Sequence, residues 1–323
     1  MNLVIYDWVS ITSKIHSPQN FIEMLGLKAV TWETTKGMHG YLDRLYWNCI
    51  SIYYNGRDDM GVWLEMTGQG CRGFETFGNG DYEALFDEVR ENPNEMNLTR
   101  LDVAFDEKDG ILDLAILEQD TRDKAYISRF RKVNIDWERN EESDVEGLSI
   151  YHGRKVSTVL IRIYNKAVER GFTDGLHWVR VELQLRDERA LAFLDSPGTI
   201  GHRFCGVLRN YLRYVEEDDL DKNKWRWPMK TYWSRLLDGV MPIQLYSKPG
   251  AEYNLSNLEN YVFKQCGGGI ATLLDIIGWD RFMEGIRHRG TQLNPKYKAL
   301  KAQYGVIQNE AAAARMRDAA AER

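Results

Sequence analysis

Cysteine is scarce and dispersed: the chain has four, Cys49, Cys71, Cys205 and Cys266, with no CxxC pair among them. This excludes the ligand spacing of a zinc ribbon and a disulfide framework, and it suits a reducing cytoplasm. The six histidines (His16, His39, His152, His177, His202 and His288) show neither HxH nor HExxH spacing, so a histidine-held metal is not indicated. GxSxG is missing and no cysteine has a plausible local partner, which removes support for a serine or cysteine hydrolase. Long apolar runs are absent as well. Nothing approaches the roughly 18 apolar residues of a spanning helix. The opening MNLVIYDWVSIT has no basic start and no apolar stretch, so neither a signal peptide nor a membrane segment is expected.

The 323 residues suffice for one large or two ordinary domains, and 43% hydrophobic with 28% charged residues is a globular composition. The net charge of −6 hides a segregation. Residues 81–147 carry 20 acidic side chains against 9 basic ones, whereas 150–214 carry 11 basic against 6 acidic. A basic stretch beside an acidic one can still form a phosphate-binding stripe, because the local field governs binding.

Periodicity gives an element order. Leu3–Thr12 alternates as a strand, with Val4, Tyr6 and Trp8 on one side and Ile5, Asp7 and Val9 on the other. Asn20–Leu27 has helical spacing, and Tyr41–Tyr54 with Gly61–Thr67 reads as a hairpin around a longer loop. GQGCRGFE (68–75) reads as a glycine-rich turn and is not the GxxxxGK[ST] of a Walker loop. Asp81–Glu91 is a helix, 110–132 is expected to be helical, and 133–139 suits a strand. Helices follow at 186–194 and 199–215. Beyond the charged linker EEDDLDKNK (216–224), more are expected at 227–237, 257–265, 270–277 and 280–287, with an alanine-rich end from 309. No internal repeat stands out.

Three alternating segments carry polar faces of complementary kind. In LTRLDVAFDE (98–107), Asp102 and Asp106 flank Ala104 opposite the apolar Leu101, Val103 and Phe105. Paired carboxylates of this sort suit hard divalent cations. Residues 157–166 set Arg162, Tyr164 and Lys166 against Val159, Ile161 and Ile163, and 178–186 set Arg180, Glu182, Gln184 and Arg186 against Val179, Val181, Leu183 and Leu185. Each pattern also describes an ordinary amphipathic strand with solvated charges. Brought onto one floor, however, they suit phosphoryl transfer: carboxylates for a metal, arginines to clamp phosphate, and a tyrosine nucleophile beside a cation such as Lys166.

Four stretches in order resemble the replication initiation factor family, the initiators of staphylococcal-type rolling-circle plasmids and the MobT-class relaxases of integrative and conjugative elements. They are GQGCRGFE (68–75), TRLDVAFDE (99–107), IYHGRK (150–155) with IRIYNKAVERG (161–171), and WVRVELQLRDERA (178–190). The early IYDWVSIT is similar to the family's opening, and the likeness spans about residues 3–215. The resemblance implies a sequence-specific DNA nicking and strand-transfer enzyme that stays joined to a 5′ end through a tyrosine. It also implies a divalent metal, Mg²⁺ or Mn²⁺, and no paired histidines. Carried over, the nucleophile is Tyr164, with Tyr151 as the alternative, and the metal ligands are Asp102 and Glu182, with Asp106 a further candidate.

The expectation is therefore an α+β protein with a central, mainly antiparallel sheet carrying the active site, flanked by helices. Residues 1–215 form the nicking domain and 222–323 a helical region for DNA specificity or packing. Lys166 and Arg186 join Tyr164 in the catalytic set, and Arg162, Arg180, Arg154 and Lys155 contact DNA phosphate. Origin DNA (an oriT or a double-strand origin) and a host DNA helicase are the expected partners, and a homodimer is a candidate assembly. No helix-turn-helix precedes the first strand, which leaves initiator and relaxase both open, with the GQGCR form leaning toward the relaxases. The rivals are a non-catalytic origin-binding protein that recruits a helicase, and a hydrolytic metal-dependent endonuclease.

Overall fold

The computed structural model describes residues 3–139, 145–172, 175–218, 220–237, 245, 258–259, 262–263, 266–290 and 301. Two compact units divide the chain, Met1–Ser247 and Lys248–Arg323. The first contains β1 (Leu3–Ser13), α1 (Pro18–Met24), β2 (Glu33–Lys36), β3 (Asp43–Trp47), β4 (Ile50–Tyr54), β5 (Val62–Met66), α2 (Gly68–Phe77), α3 (Tyr82–Glu91) and β6 (Met96–Glu107). It continues with α4 (Leu114–Arg122), β7 (Tyr126–Ser128), β8 (Val133–Arg139), β9 (Val145–His152), β10 (Val159–Asn165), α5 (Lys166–Glu169) and β11 (Val179–Arg186). Last come α6 (Glu188–Leu194), α7 (Ile200–Tyr211), β12 (Leu212–Tyr214) and α8 (Thr231–Leu237). The second unit holds α9 (Gly267–Ile277) and α10 (Trp279–Gly290). The alanine-rich stretch from 309 lies outside the described residues, as does most of the helix expected over 257–265.

Among the described residues, ten strands make one antiparallel sheet in the order β2-β3-β4-β5-β1-β6-β11-β10-β9-β8, and β12 pairs with β7 in a small second sheet. This is the expected α+β architecture. One face of the large sheet is apolar: Val9, Ile52, Leu64, Leu101, Val103, Ile161, Ile163, Val181 and Leu183 are buried there, against Phe21, Phe74, Phe86, Phe193 and Phe204 of the helices. Side-chain caps start several of these helices. Ser17 and Asn20 form a reciprocal capping box on α1, Asp81 accepts from Ala84 N, and Thr199 accepts from His202 N. The opposite face of the central strands carries the charged residues.

Four expectations are corrected. First, the compact unit extends to 247, past the break expected at 215–222, because α8 buries Trp233, Leu236 and Leu237, and Trp233 Nε1 donates to the Leu212 carbonyl at 3.1 Å. Second, 110–132 holds only the nine-residue α4 before the chain turns into β7, with Lys124 at positive φ. Third, GQGCRGFE is no turn but the start of α2. Its glycines let the helix lie against the tight β3–β4 turn at Asn48 and Cys49: a Cβ on Gly70 would sit 2.3 Å from the Cys49 carbonyl oxygen. Fourth, β1 does not alternate throughout. Its register against β6 shifts between Tyr6 and Trp8, a bulge that sends Asp7 and Trp8 together to the charged face while Tyr6 packs on Tyr82 and Phe86.

The sheet also repeats itself in topology. β1 is followed by a helix and a meander whose last strand returns beside it, giving the spatial order β1, β5, β4, β3, β2. β6 with β8–β11 does the same, giving β6, β11, β10, β9, β8. The two copies meet at the β1–β6 pair. Their registers correspond: Ser51 lies opposite Glu65 and Tyr53 opposite Trp63, as Arg162 lies opposite Glu182 and Tyr164 opposite Arg180.

Candidate active site

A cleft of about 430 Å³ opens on the charged face at the seam of the two copies. Its floor comes from four neighbouring strands: Asp7 and Trp8 of β1, Arg100 and Asp102 of β6, Glu182 of β11, and Arg162 and Tyr164 of β10. Lys166, Glu169 and Arg170 of and beyond α5 form one wall, and Cys49 with Thr67, Gly68 and Gln69 at the start of α2 forms another. Period-two alternation delivers Tyr164 and Arg162 to the same face, and antiparallel register sets Arg162 directly across from Glu182.

Tyr164 is 2% exposed. Its hydroxyl donates to Glu182 Oε2 at 3.3 Å, and the Arg162 guanidinium lies 3.8 Å from its ring centroid. Burial, and then the Glu182 charge, push the phenol well above its usual range, while Arg180 and Arg162 act the other way. Burial likewise raises Glu182, with Asp7 adding to the rise. Asp102 is pushed up to about 7, chiefly by burial and by repulsion from Glu182 and Asp7, although Arg100 grips it bidentately at 3.0 and 2.6 Å. Arg100 in turn stacks 3.9 Å over the Trp8 ring. Burial lowers Lys166, whose Nζ sits 2.7 Å from Glu169 Oε2.

Asp7, Asp102 and Glu182 thus share one cleft, and repulsion there helps to raise Asp102 and Glu182, which a cation would lower. Among the described residues no three His, Cys, Asp or Glu side chains are gathered closely enough to form a ready metal cage. The donors are all carboxylate oxygens, however. A hard cation that keeps water and takes substrate oxygens needs only one or two of them, so the residues present fit Mg²⁺ or Mn²⁺.

Asp106 stands apart from this set. It accepts from Arg180 Nε (2.6 Å) and Nη2 (2.8 Å) and from Trp178 Nε1 (2.8 Å). Burial would raise its pKa, but Arg180 outweighs burial and holds the carboxyl below its ordinary range. Arg180 also forms an ion pair with Asp7, Nη1 to Oδ2 at 2.7 Å, and so joins the two acids.

The structure brings together Tyr164, Lys166, Arg162, Asp102 and Glu182 in the cleft, with Arg180 behind them. Arg186 lies outside it, opposite Arg100 in register, and shares with Arg100 the amide oxygen of Gln184 in the orientation that satisfies both. Arg154 and Lys155 are exposed in the β9–β10 turn and do not line the cleft. Tyr151 is half-buried on β9, opposite Arg162, whose guanidinium is 5.5 Å from its ring. Sequence reasoning missed Asp7, Trp8 and Arg100. The signal for Asp7 was a lone carboxylate inside an apolar strand.

Known proteins match this chain across most of its length. The model of the family described as replication initiation factor matches residues 96–286, and that of the rolling circle replication initiation protein N-terminal domain matches residues 3–88. The putative DNA relaxase NicK of Bacillus subtilis (strain 168) is 27% identical over 283 residues, 83% of this chain and 80% of that protein. The structure of the rolling circle replication initiator protein from Geobacillus stearothermophilus superposes with a TM-score of 0.68 at 32% identity, covering 77% of this chain and 100% of that one.

Proposed function

This chain belongs to the replication initiation factor family, and on that premise we propose that it nicks one strand of origin DNA and holds the cut end as a phosphotyrosine at Tyr164. The observation that carries this reading is the Tyr164 hydroxyl hydrogen-bonded to Glu182 inside a cleft that also holds Asp102 and Asp7.

Tyr164 Oη attacks the scissile phosphorus and forms the new P–O bond. Its proton passes to Glu182, the acceptor already at 3.3 Å. The P–O3′ bond breaks and the departing oxygen leaves as a 3′ hydroxyl, with a proton supplied from the cleft, where burial has made Lys166 a readier acid. Arg162, stacked on the phenol, stabilises the phenolate as it forms and draws the phosphate toward it. Asp102 and Glu182, with Asp7 beside them, would hold the divalent cation, which neutralises charge on the phosphoryl oxygens when bound. Asp106 is a positioning residue that locks Arg180. Rejoining runs the same steps backward, with a 3′ hydroxyl as the attacking group.

Incubation with supercoiled origin DNA and Mg²⁺ or Mn²⁺ should yield a covalent adduct on a denaturing gel, and Tyr164→Phe should abolish it. Tyr151 is the second candidate because it is the more accessible phenol beside the same arginine. An adduct that survives Tyr164→Phe and disappears in Tyr151→Phe would transfer the role. A nick without an adduct would mark a hydrolytic nuclease, and binding without a nick an origin-binding protein. A host helicase that unwinds from the nick, and a homodimer, remain part of the proposal. Initiator and relaxase roles share this chemistry, and both kinds of relative match the chain.

A further inference from the structure

A second, larger hollow of about 710 Å³ lies beside the cleft, at the end of β10 and the start of β11. The division is residue by residue. Tyr164 and Lys166 line the cleft while Asn165, Ala167 and Val168 line the hollow, and Glu182 lines the cleft while Trp178 and Val179 line the hollow. Phe172 and Leu176 form its rim, each 46% exposed, and the Phe172 and Trp178 rings are 6.5 Å apart. Lys108 Nζ sits 4.1 Å over the Trp178 ring.

The walls are built rather than incidental. Asp106 fixes the Trp178 indole on the hollow side and Arg180 on the cleft side, so a single carboxylate ties the two together. Its neighbour Glu107 is fully buried. It accepts from Asp109 N (2.6 Å) and Leu112 N (3.0 Å) and holds His177 Nε2 at 2.8 Å. Aromatic faces, an aliphatic rim, an imidazole and amide for edge contacts, and a cation over the Trp178 ring are the parts of a base-stacking site. The volume falls within the range of roughly 300–1,000 Å³ typical of small-ligand pockets.

We propose that this hollow holds an unpaired nucleobase of the strand being cut, one next to the phosphate in the cleft. The inference rests on the nicking function proposed above and adds to it where the strand is gripped: the cleft holds backbone and the hollow holds a base. A base swung out of a duplex costs least where the strands are already separated, so the site favours single-stranded DNA over paired DNA at the nick.

The probes are fluorescein-labelled dT12 and an abasic 12-mer of the same charge, measured by anisotropy with the full chain. Wild type should bind dT12 more tightly than the abasic strand. Phe172→Ala, at an exposed rim position outside the Asp106 network, should lose about tenfold on dT12 and nothing on the abasic strand. On origin DNA, Phe172→Ala should raise KM while leaving kcat for adduct formation near that of wild type. Leu176→Ala provides a second rim variant with the same expected direction. If both variants keep the full preference for dT12, the site is not a base pocket. Adduct formation by a wild type with no preference for bases also overturns the proposal and leaves nicking intact. A base preference lost in Phe172→Ala, in a protein that forms no adduct, supports the pocket and overturns nicking.

Discussion

Asp102→Asn removes a buried carboxyl whose pKa has been pushed from 3.8 to about 7 by burial and by its acidic neighbours. Between those two values the folded protein binds the proton and the unfolded chain does not. The bound proton therefore stabilises the fold at low pH, and that stabilisation drains away as pH rises to about 7. At pH 5.5, some 1.5 units below the folded value, it amounts to about 2 kcal/mol at 1.36 kcal/mol per unit. At pH 8 it has gone. Asparagine does not titrate, so the variant lacks this slope, while the loss of the Arg100 partner depresses its stability at both pH values. In EDTA, the melting temperature of the variant minus that of wild type should rise by about 4–8 °C between pH 5.5 and pH 8, taking roughly 2–4 °C per kcal/mol for a unit of this size. Excess Mg²⁺ at pH 8 should reduce the difference, since a cation on the ionised carboxylate stabilises wild type more than the variant. Differential scanning fluorimetry at the two pH values measures this directly. A difference that stays flat with pH would refute the raised Asp102 pKa, and a flat response to Mg²⁺ would remove Asp102 from the cation site.

Asp106→Ala leaves the buried Arg180 guanidinium with Asp7 as its one ion-pair partner among the described residues, and should cost roughly 3–5 kcal/mol. Urea denaturation should show a lower midpoint, and an unchanged midpoint would contradict its anchoring role. Gly70→Ala drives a Cβ to 2.3 Å from the Cys49 carbonyl oxygen, so α2 must lift from the β3–β4 turn at a cost of roughly 1–3 kcal/mol. Because α2 also walls the cleft, nicking should fall along with the melting temperature, and a variant with wild-type stability would show that the helix has room to spare.

Much of the sheet was legible because its strands are half-buried and alternate cleanly. The faces of β6, β10 and β11 were read residue for residue, and with them Asp102, Tyr164, Arg162 and Glu182. What alternation cannot carry is a change of phase. The bulge at Asp7 and Trp8 reverses the parity of β1, so Asp7 read as a neighbour of Val9 when it faces the cleft. Asp106 illustrates the opposite failure. It shares a face with Asp102, but four residues along a strand is enough to place it on Arg180 and Trp178 instead of in the cleft. Arg186 fell outside the cleft for the same reason, four residues beyond Glu182. α2 was hidden by its composition, since three glycines in six residues suggest a turn unless one knows that another backbone passes within contact distance.

The repeated topology of the two half-sheets puts a tyrosine and a glutamate at matching stations in two different surroundings. The later copy keeps a tyrosine among ions, Tyr164 with Arg162, Arg180 and Glu182. The earlier copy keeps a tyrosine at the matching place, but Tyr53 is stacked on Trp63 at 4.6 Å and covered by Tyr41. Its glutamate survives as Glu65, facing Ser51 where the other copy has an arginine. One half thus sets its tyrosine among aromatic rings and the other sets its own among ions, with Asp7 as the first half's contribution to the cleft across the seam.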